Sequence, residues 1–169
     1  SAWLLKDVQM EYLQEKFAKK GLMILYTAPW PGQGFYTKFP VNSVSDFKGK
    51  KLRIYSTATQ QMGSMLGFNA TILPFAEIPQ AFSTGLIEAL FTSPQTGIDI
   101  QAWDNTKHFT YAGAIFSKNA VVVTKKAFDA LSKSDKSSMH AAAKRAELRG
   151  GAMRAETTTK QLGTHKKKG

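Results

Sequence analysis

The sequence predicts an α/β protein in which short strands alternate with helices of about ten residues. Two observations carry this. Between residues 47 and 94, strand-like runs and helix-like runs follow one another, each closed by a glycine or a proline: KLRIY, TATQQMGSML with Gly67, ATIL with Pro74, AEIPQAFST with Gly85, then ALFT with Ser93 and Pro94. The composition, 43% hydrophobic and 11% aromatic over 169 residues, supplies apolar material for one core or two small ones.

The first element in order is a helix over 3–20, where Leu4, Leu5, Val8, Tyr12, Leu13 and Phe17 recur near helical spacing and Gly21 stops the run. Residues 22–27 (LMILYT) read as a strand buried on both faces. Residues 28–36 (APWPGQGFY) hold two prolines and two glycines and are expected to break regular structure, with 37–45 irregular after them. Strand 51–55 precedes a helix over 57–66, for which Thr57 and Gln60 offer a T-x-x-Q capping box. A strand over 70–73, a helix over 76–84 with Pro79 in its first turn, and a strand over 89–92 complete the alternation. Ser93 then suits an N-cap and Pro94 the first helical position, which predicts a helix over 95–109. Strands over 111–116 and 120–124, a short helix over 125–131, and a long helix capped by Ser134 and running to about 161 follow. A stripe through Met139, Ala142, Ala143, Ala146 and Met153 gives that helix an apolar side, and 163–169 read as a disordered basic tail.

Charge and chemistry narrow the function classes. The net charge is +11, but residues 118–169 hold 13 of the 23 basic and only 4 of the 12 acidic side chains. A solvated helix face explains that excess, and a basic nucleic-acid-associated protein is the alternative. Without cysteine there is no disulfide, thiolate metal site or cysteine nucleophile. His108, His140 and His165 are scattered; Asp104 and His108 lie four apart, a local pair without a third ligand. No G-x-S-x-G, P-loop or G-x-G-x-x-G is present. The chain therefore carries no enzyme signature and implies no cofactor. Its inventory is that of a binder: polar strand ends, aromatic residues and one conspicuous arginine. Ligands of such sheets bind where strand ends enter helices, here Tyr55, Ser56 and Thr57, and Thr92 and Ser93. Trp30, on a stiff Pro-bounded segment, either lines a cleft or plugs a core. Arg53 points opposite to Leu52 and Ile54 on its strand; it forms an ion pair with Glu77, Glu88 or Asp99, or is simply exposed, or receives an external anion.

Four segments together resemble the TRAP-transporter periplasmic substrate-binding proteins of the DctP type: FKGKKLRI at 47–54, MLG at 65–67, PFAEI at 74–78 and FSTGLIEA at 82–89. ALFTSPQTG, KNAVVVTKKAFDAL and PWPGQGFYTK extend the likeness over most of 21–150. The resemblance implies a periplasmic binding protein-like α/β fold of two lobes closing on a small organic acid, without catalysis. It implies an incomplete first lobe: residues 1–33 as its remnant, 34–114 as the second lobe, and 115–169 as a crossing strand with a long returning helix. A missing N-terminal portion would leave Leu22, Ile24, Val121 and Val123 incompletely covered. The resemblance further implies a periplasmic location, a monomeric full-length form, and membrane subunits of a TRAP transporter as partners. Arg53 matches the arginine that grips the substrate carboxylate in the family. Ser56, Thr57, Thr92 and Ser93 would add hydrogen bonds, and Trp30, Tyr55 and Phe116 apolar walls. Ser93 stands where the family often has Asn, and Glu88 where Asp is usual, so the identity of the acid does not transfer.

Overall fold

The computed structural model describes the backbone of residues 6–168 and the side-chain surroundings of 9–152. In chain order the elements are α1 (Lys6–Ala18), β1 (Leu22–Pro29), β2 (Gln33–Thr37), β3 (Lys51–Ile54), α2 (Thr57–Met65), β4 (Asn69–Ile72) and α3 (Ile78–Ser83). Then come β5 (Ala89–Thr92), α4 (Pro94–Asp99), β6 (His108–Ala114), β7 (Lys118–Thr124), α5 (Lys125–Asp129) and α6 (Lys133–Lys168). The chain divides into two compact units, residues 1–30 with 116–156 and residues 31–115 with 157–169.

In the first unit β1 and β7 form an antiparallel pair, with the register slipping between Ile24 and Tyr26. Gly21, at φ +68°, makes the turn from α1 into β1 that a side chain would oppose. The backbone N–H and hydroxyl of Thr27 both donate to Glu147 Oε1, at 3.1 and 3.0 Å, and so tie β1 to α6. The two-faced burial expected for 22–27 is not found: Ile24 and Thr27 are buried, while Leu22, Val121 and Val123 are half-buried and Val122 is exposed. A two-stranded sheet cannot cover both faces of its strands. The stripe on α6 is likewise narrower than its sequence suggests, since Ala143 is buried, Met139 half-buried, and Ala142 and Ala146 exposed. Met153 and the apolar residues 3–5 and 8 of the first helix lie outside the described side chains. Ser132, not Ser134, caps α6: its hydroxyl oxygen accepts from Asp135 N–H at 3.1 Å. The helix continues through Lys168, where a tail was expected.

The second unit holds a five-stranded sheet in the order β4-β3-β5-β2-β6. The alternating β3-α2-β4-α3-β5 stretch gives the parallel pairs β3–β4 and β3–β5, as the spacing predicts. The sheet is nonetheless mixed, because β2 inserts antiparallel between β5 and β6. Alternation sorts the side chains into two cores. Phe35, Leu52, Ile54, Ala89 and Phe91 join Phe47 and Phe68 on one face. Tyr36 and Leu90 join Ile78, Phe82 and Ile87 on the other. Phe35 lies 4.8 Å from Phe47 and 4.9 Å from Phe91 between ring centroids, aromatic contacts worth about 0.5–1.5 kcal/mol each beyond area burial.

Three local expectations change. Residues 33–37, taken as irregular, form the fully buried β2; the Pro and Gly residues break the chain only around 30–32. The N-cap of α2 is Ser56 rather than Thr57, with Thr59 completing the reciprocal cap. The helix expected over 95–109 ends at Asp99, and Gln101 turns left-handed at φ +49° before β6 begins at His108. Gly67, at φ +85°, closes α2 by sending Phe68 N–H back to Gly63 O and its own N–H to Ser64 O.

Candidate anion-binding site

β3 and β5 run parallel and adjacent, with Arg53 beside Leu90, so their C-terminal ends fall at the same edge of the sheet. β2 is antiparallel to β5, with Gly34 opposite Thr92, which brings the start of β2 to that edge as well. The edge thus gathers Gln33, Arg53, Tyr55, Ser56, Thr57, Thr92 and Ser93 within one unit.

Arg53 is only 5% exposed, and Leu52 and Ile54 point to the opposite face. Its Nε–H donates to Leu73 O at 3.1 Å. Its guanidinium carbon lies 5.7 Å from the centre of the Tyr55 ring, within cation–π range. A guanidinium carries five N–H donors. The Leu73 bond uses one, and among the described residues no carboxylate pairs with the others. The ion pair with Glu77, Glu88 or Asp99 is therefore not formed. Burial pulls the Arg53 pKa below its ordinary value, and the Tyr55 hydroxyl acts in the opposite direction. Arginine stays charged at neutral pH all the same, so a buried cation lies near this edge without a carboxylate counter-ion among the described residues.

Thr92 ends β5, is buried, and its hydroxyl has no side-chain partner among the described residues. Ser56 and Ser93 are occupied differently from what their sequence positions suggest. Ser56 Oγ accepts from Thr59 N–H at 3.3 Å. Ser93 Oγ accepts from Thr96 N–H at 3.1 Å and donates to Thr96 Oγ1 at 3.0 Å. Both serines start helices at the sheet edge, which is why serine suits them. Thr57 is exposed at the first turn of α2. Trp30 and Phe116 belong to the other unit, where Trp30 N–H donates to Ser117 O at 2.9 Å at the end of the β1–β7 ladder; Trp30 is half-buried and Phe116 exposed.

Sequence reasoning missed Gln33. It is 3% exposed, and its Oε1 accepts from the Tyr55 hydroxyl at 2.8 Å. A polar residue opening a strand of wholly buried residues, QGFYT, was the available signal.

Among the described residues no cluster of histidine or carboxylate side chains is arranged to hold a metal, and no helix is long and apolar enough to cross a membrane. The whole chain, residues 1–169, matches the family described as bacterial extracellular solute-binding protein, family 7. The chain belongs to this solute-binding family. The architecture agrees. The crystal structure of DctP7, an extracytoplasmic solute receptor of Bordetella pertussis binding pyroglutamic acid, superposes with a TM-score of 0.92 at 37% identity, covering 98% of this chain and 55% of that one. A TRAP solute-binding protein from a marine metagenome, specific for pyroglutamate, gives 0.88 at 33% identity over 94% of this chain and 52% of that one. A solute-binding protein of Chromohalobacter salexigens is 24% identical over 138 residues, 79% of this chain and 40% of the relative. The chain spans about half the length of the relatives it matches. Members of the solute-binding family serve transport, and the periplasmic binding protein-like α/β fold is theirs.

Proposed function

We propose that this chain is the ligand-gripping part of an extracytoplasmic receptor for a small carboxylate, working as a binder without catalysis in a TRAP-type transport system. One observation carries the reading: Arg53 is buried, held through Nε by Leu73, and without an anionic partner among the described residues. A carboxylate is the ligand that suits the vacant fork, because two parallel N–H···O bonds match its geometry. The Thr92 hydroxyl adds a hydrogen bond beside it. Tyr55 and the first turn of α2, from Ser56 and Thr57, border the ligand, with Ser93 shaping the edge as a cap. The likeness to two pyroglutamate-binding receptors at 33–37% identity supports pyroglutamate as the first ligand to test.

Residues 34–114 are then lobe II, and 1–33 with 115–169 contribute to lobe I; the division of the chain near Trp30 and Ile115 supports those two boundaries, although it groups 157–169 with the second unit. The periplasm is the compartment and membrane subunits of the transporter are the acceptors of the ligand. The test is titration calorimetry of the chain with L-pyroglutamate, alongside a thermal-shift panel of dicarboxylates and hexuronates. Binding of pyroglutamate that is lost in Arg53→Met supports the reading. Binding that survives Arg53→Met, or no carboxylate binding at all, rejects it.

A further inference from the structure

The carbonyl that holds Arg53 is free to do so because a ladder rung is missing. Along β3 and β4, Asn69 N–H donates to Lys50 O at 2.8 Å and Leu73 N–H to Ile54 O at 3.3 Å. Rungs of a parallel pair alternate evenly between the strands, so with Ile54 beside Ile72 the next one runs from Ser56 N–H to Leu73 O. That rung is not made. Ser56 N–H donates to Thr59 Oγ1 at 3.0 Å instead, and Tyr55 N–H reaches the same oxygen at 3.3 Å. Leu73 O is left for Arg53 Nε–H, at 3.1 Å. Thr59 is 1% exposed and donates its hydroxyl proton to Ser56 O at 2.9 Å, which ties that hydroxyl to the turn from β3 into α2.

We propose that Thr59 is a positioning residue for the anion site: by drawing Ser56 N–H out of the ladder, its hydroxyl reserves the Leu73 carbonyl for Arg53. This rests on the carboxylate-binding reading above. Ser56 is half-buried, and a backbone N–H in such a place needs an acceptor. Without the threonine oxygen, the acceptor in register is Leu73 O. That carbonyl would then divide between Ser56 N–H and Arg53 Nε–H, and the guanidinium would be held less firmly, with its remaining donors less well aimed at a carboxylate. No hydrogen bond joins Thr59 to Arg53. Its influence passes through two backbone groups, Ser56 N–H and Leu73 C=O, and only its oxygen is required. Serine at this position should therefore serve and valine should not.

The experiment uses Thr59→Val and Thr59→Ser in the whole chain. Titration with L-pyroglutamate should show Thr59→Val weakened about three- to tenfold, the size of one neutral hydrogen bond, and Thr59→Ser close to the parent. An unchanged Kd in Thr59→Val, or equal losses in both variants, overturns the proposal. A second readout needs no ligand. Exchange of the Arg53 Nε–H proton with water should quicken in Thr59→Val and not in Thr59→Ser, while the amide protons of β5 keep their parent rates. An unchanged Arg53 rate overturns the positioning role, and so does a quickening shared by β5, which would mean a loosened fold. Should Thr59→Val fail to fold, scalar coupling across hydrogen bonds in the parent decides. It should join Arg53 Nε to the Leu73 carbonyl carbon, and a coupling from the Ser56 amide nitrogen to that carbon overturns the proposal. A parent that binds no carboxylate, with Arg53 exchange still quickened by Thr59→Val alone, rejects the functional reading and leaves the positioning of Arg53 standing.

Discussion

Arg53 Nε–H donates to the carbonyl of Leu73 across 3.1 Å, and that bond decides which edge of the guanidinium is left over. Leu73 follows β4 directly, so the pleated neighbour of β3 holds the arginine in place. Arg53→Lys keeps the charge but loses the fork. Its affinity for pyroglutamate should fall by about 1.5–3 kcal/mol, the usual worth of hydrogen bonds to a charged group, as read by calorimetry. Arg53→Met should abolish the ligand-induced rise in Tm while leaving the ligand-free Tm unchanged or higher, because a buried cation without a partner is a cost to the fold.

Thr92 separates ligand binding from stability in the same way. Its buried hydroxyl meets no side-chain partner among the described residues. Thr92→Val keeps the shape and removes the oxygen. Urea unfolding should show equal or greater stability, and pyroglutamate binding should weaken by about 0.5–1.5 kcal/mol. A clear loss of stability would assign the hydroxyl to the fold rather than to the ligand.

Gly97 tests the packing of α4. A Cβ built there would fall on the Tyr36 hydroxyl and ring carbon, beneath a helix that rests on β2. Gly97→Ala should therefore destabilise by about 1–3 kcal/mol through overpacking, seen as a lower urea midpoint at unchanged m-value. The Tyr36 phenol is pushed above its ordinary pKa by burial, so its absorbance should not titrate until the protein unfolds in alkali.

Asp46 supplies a pH prediction with a definite sign. Its carboxylate accepts from the backbone N–H groups of Asn42 and Ser43, each at 2.8 Å, and these bonds lower its pKa from 3.8. A carboxylate depressed on folding stabilises above its unfolded pKa, and that contribution is lost as pH falls through the folded one. Unfolding at a series of pH values below 5 should show a steeper acid decline in the parent chain than in Asp46→Asn. Parallel curves would contradict it.

What could be read from the sequence depended on whether the signal was local. β5 and its junction with α4 were legible residue by residue, since three apolar residues and a threonine followed by Ser-Pro have one good local solution. The orientation of Arg53 followed from strand parity. β2 was not legible, because its glycine and the prolines before it suggested a break. Gly34 is there for another reason: a Cβ would come within 2.5 Å of Thr110 O and 2.9 Å of the Phe109 ring, so neighbouring β6 demands its absence. The helix expected beyond Asp99 failed because Gln101 adopts a left-handed turn, a backbone choice that glutamine does not advertise. At the site, Arg53, Tyr55 and Thr92 were accessible from strand ends. Gln33 was not, since its bond to Tyr55 exists only once two strands distant in sequence flank a third.

The sheet order has a consequence for how the unit comes to exist during synthesis. β3, β4 and β5 leave the ribosome in succession, and their short crossovers allow them to pair at once. β2 precedes them all, yet its seat lies between β5 and β6, the last strands of this sheet to emerge. It must wait, with Gln33 and two buried aromatic residues in tow, until β5 and β6 are available to receive it. Chains cut short before β6 should therefore leave Phe35 and Tyr36 open to chaperones, and the closing of this long loop should slow folding.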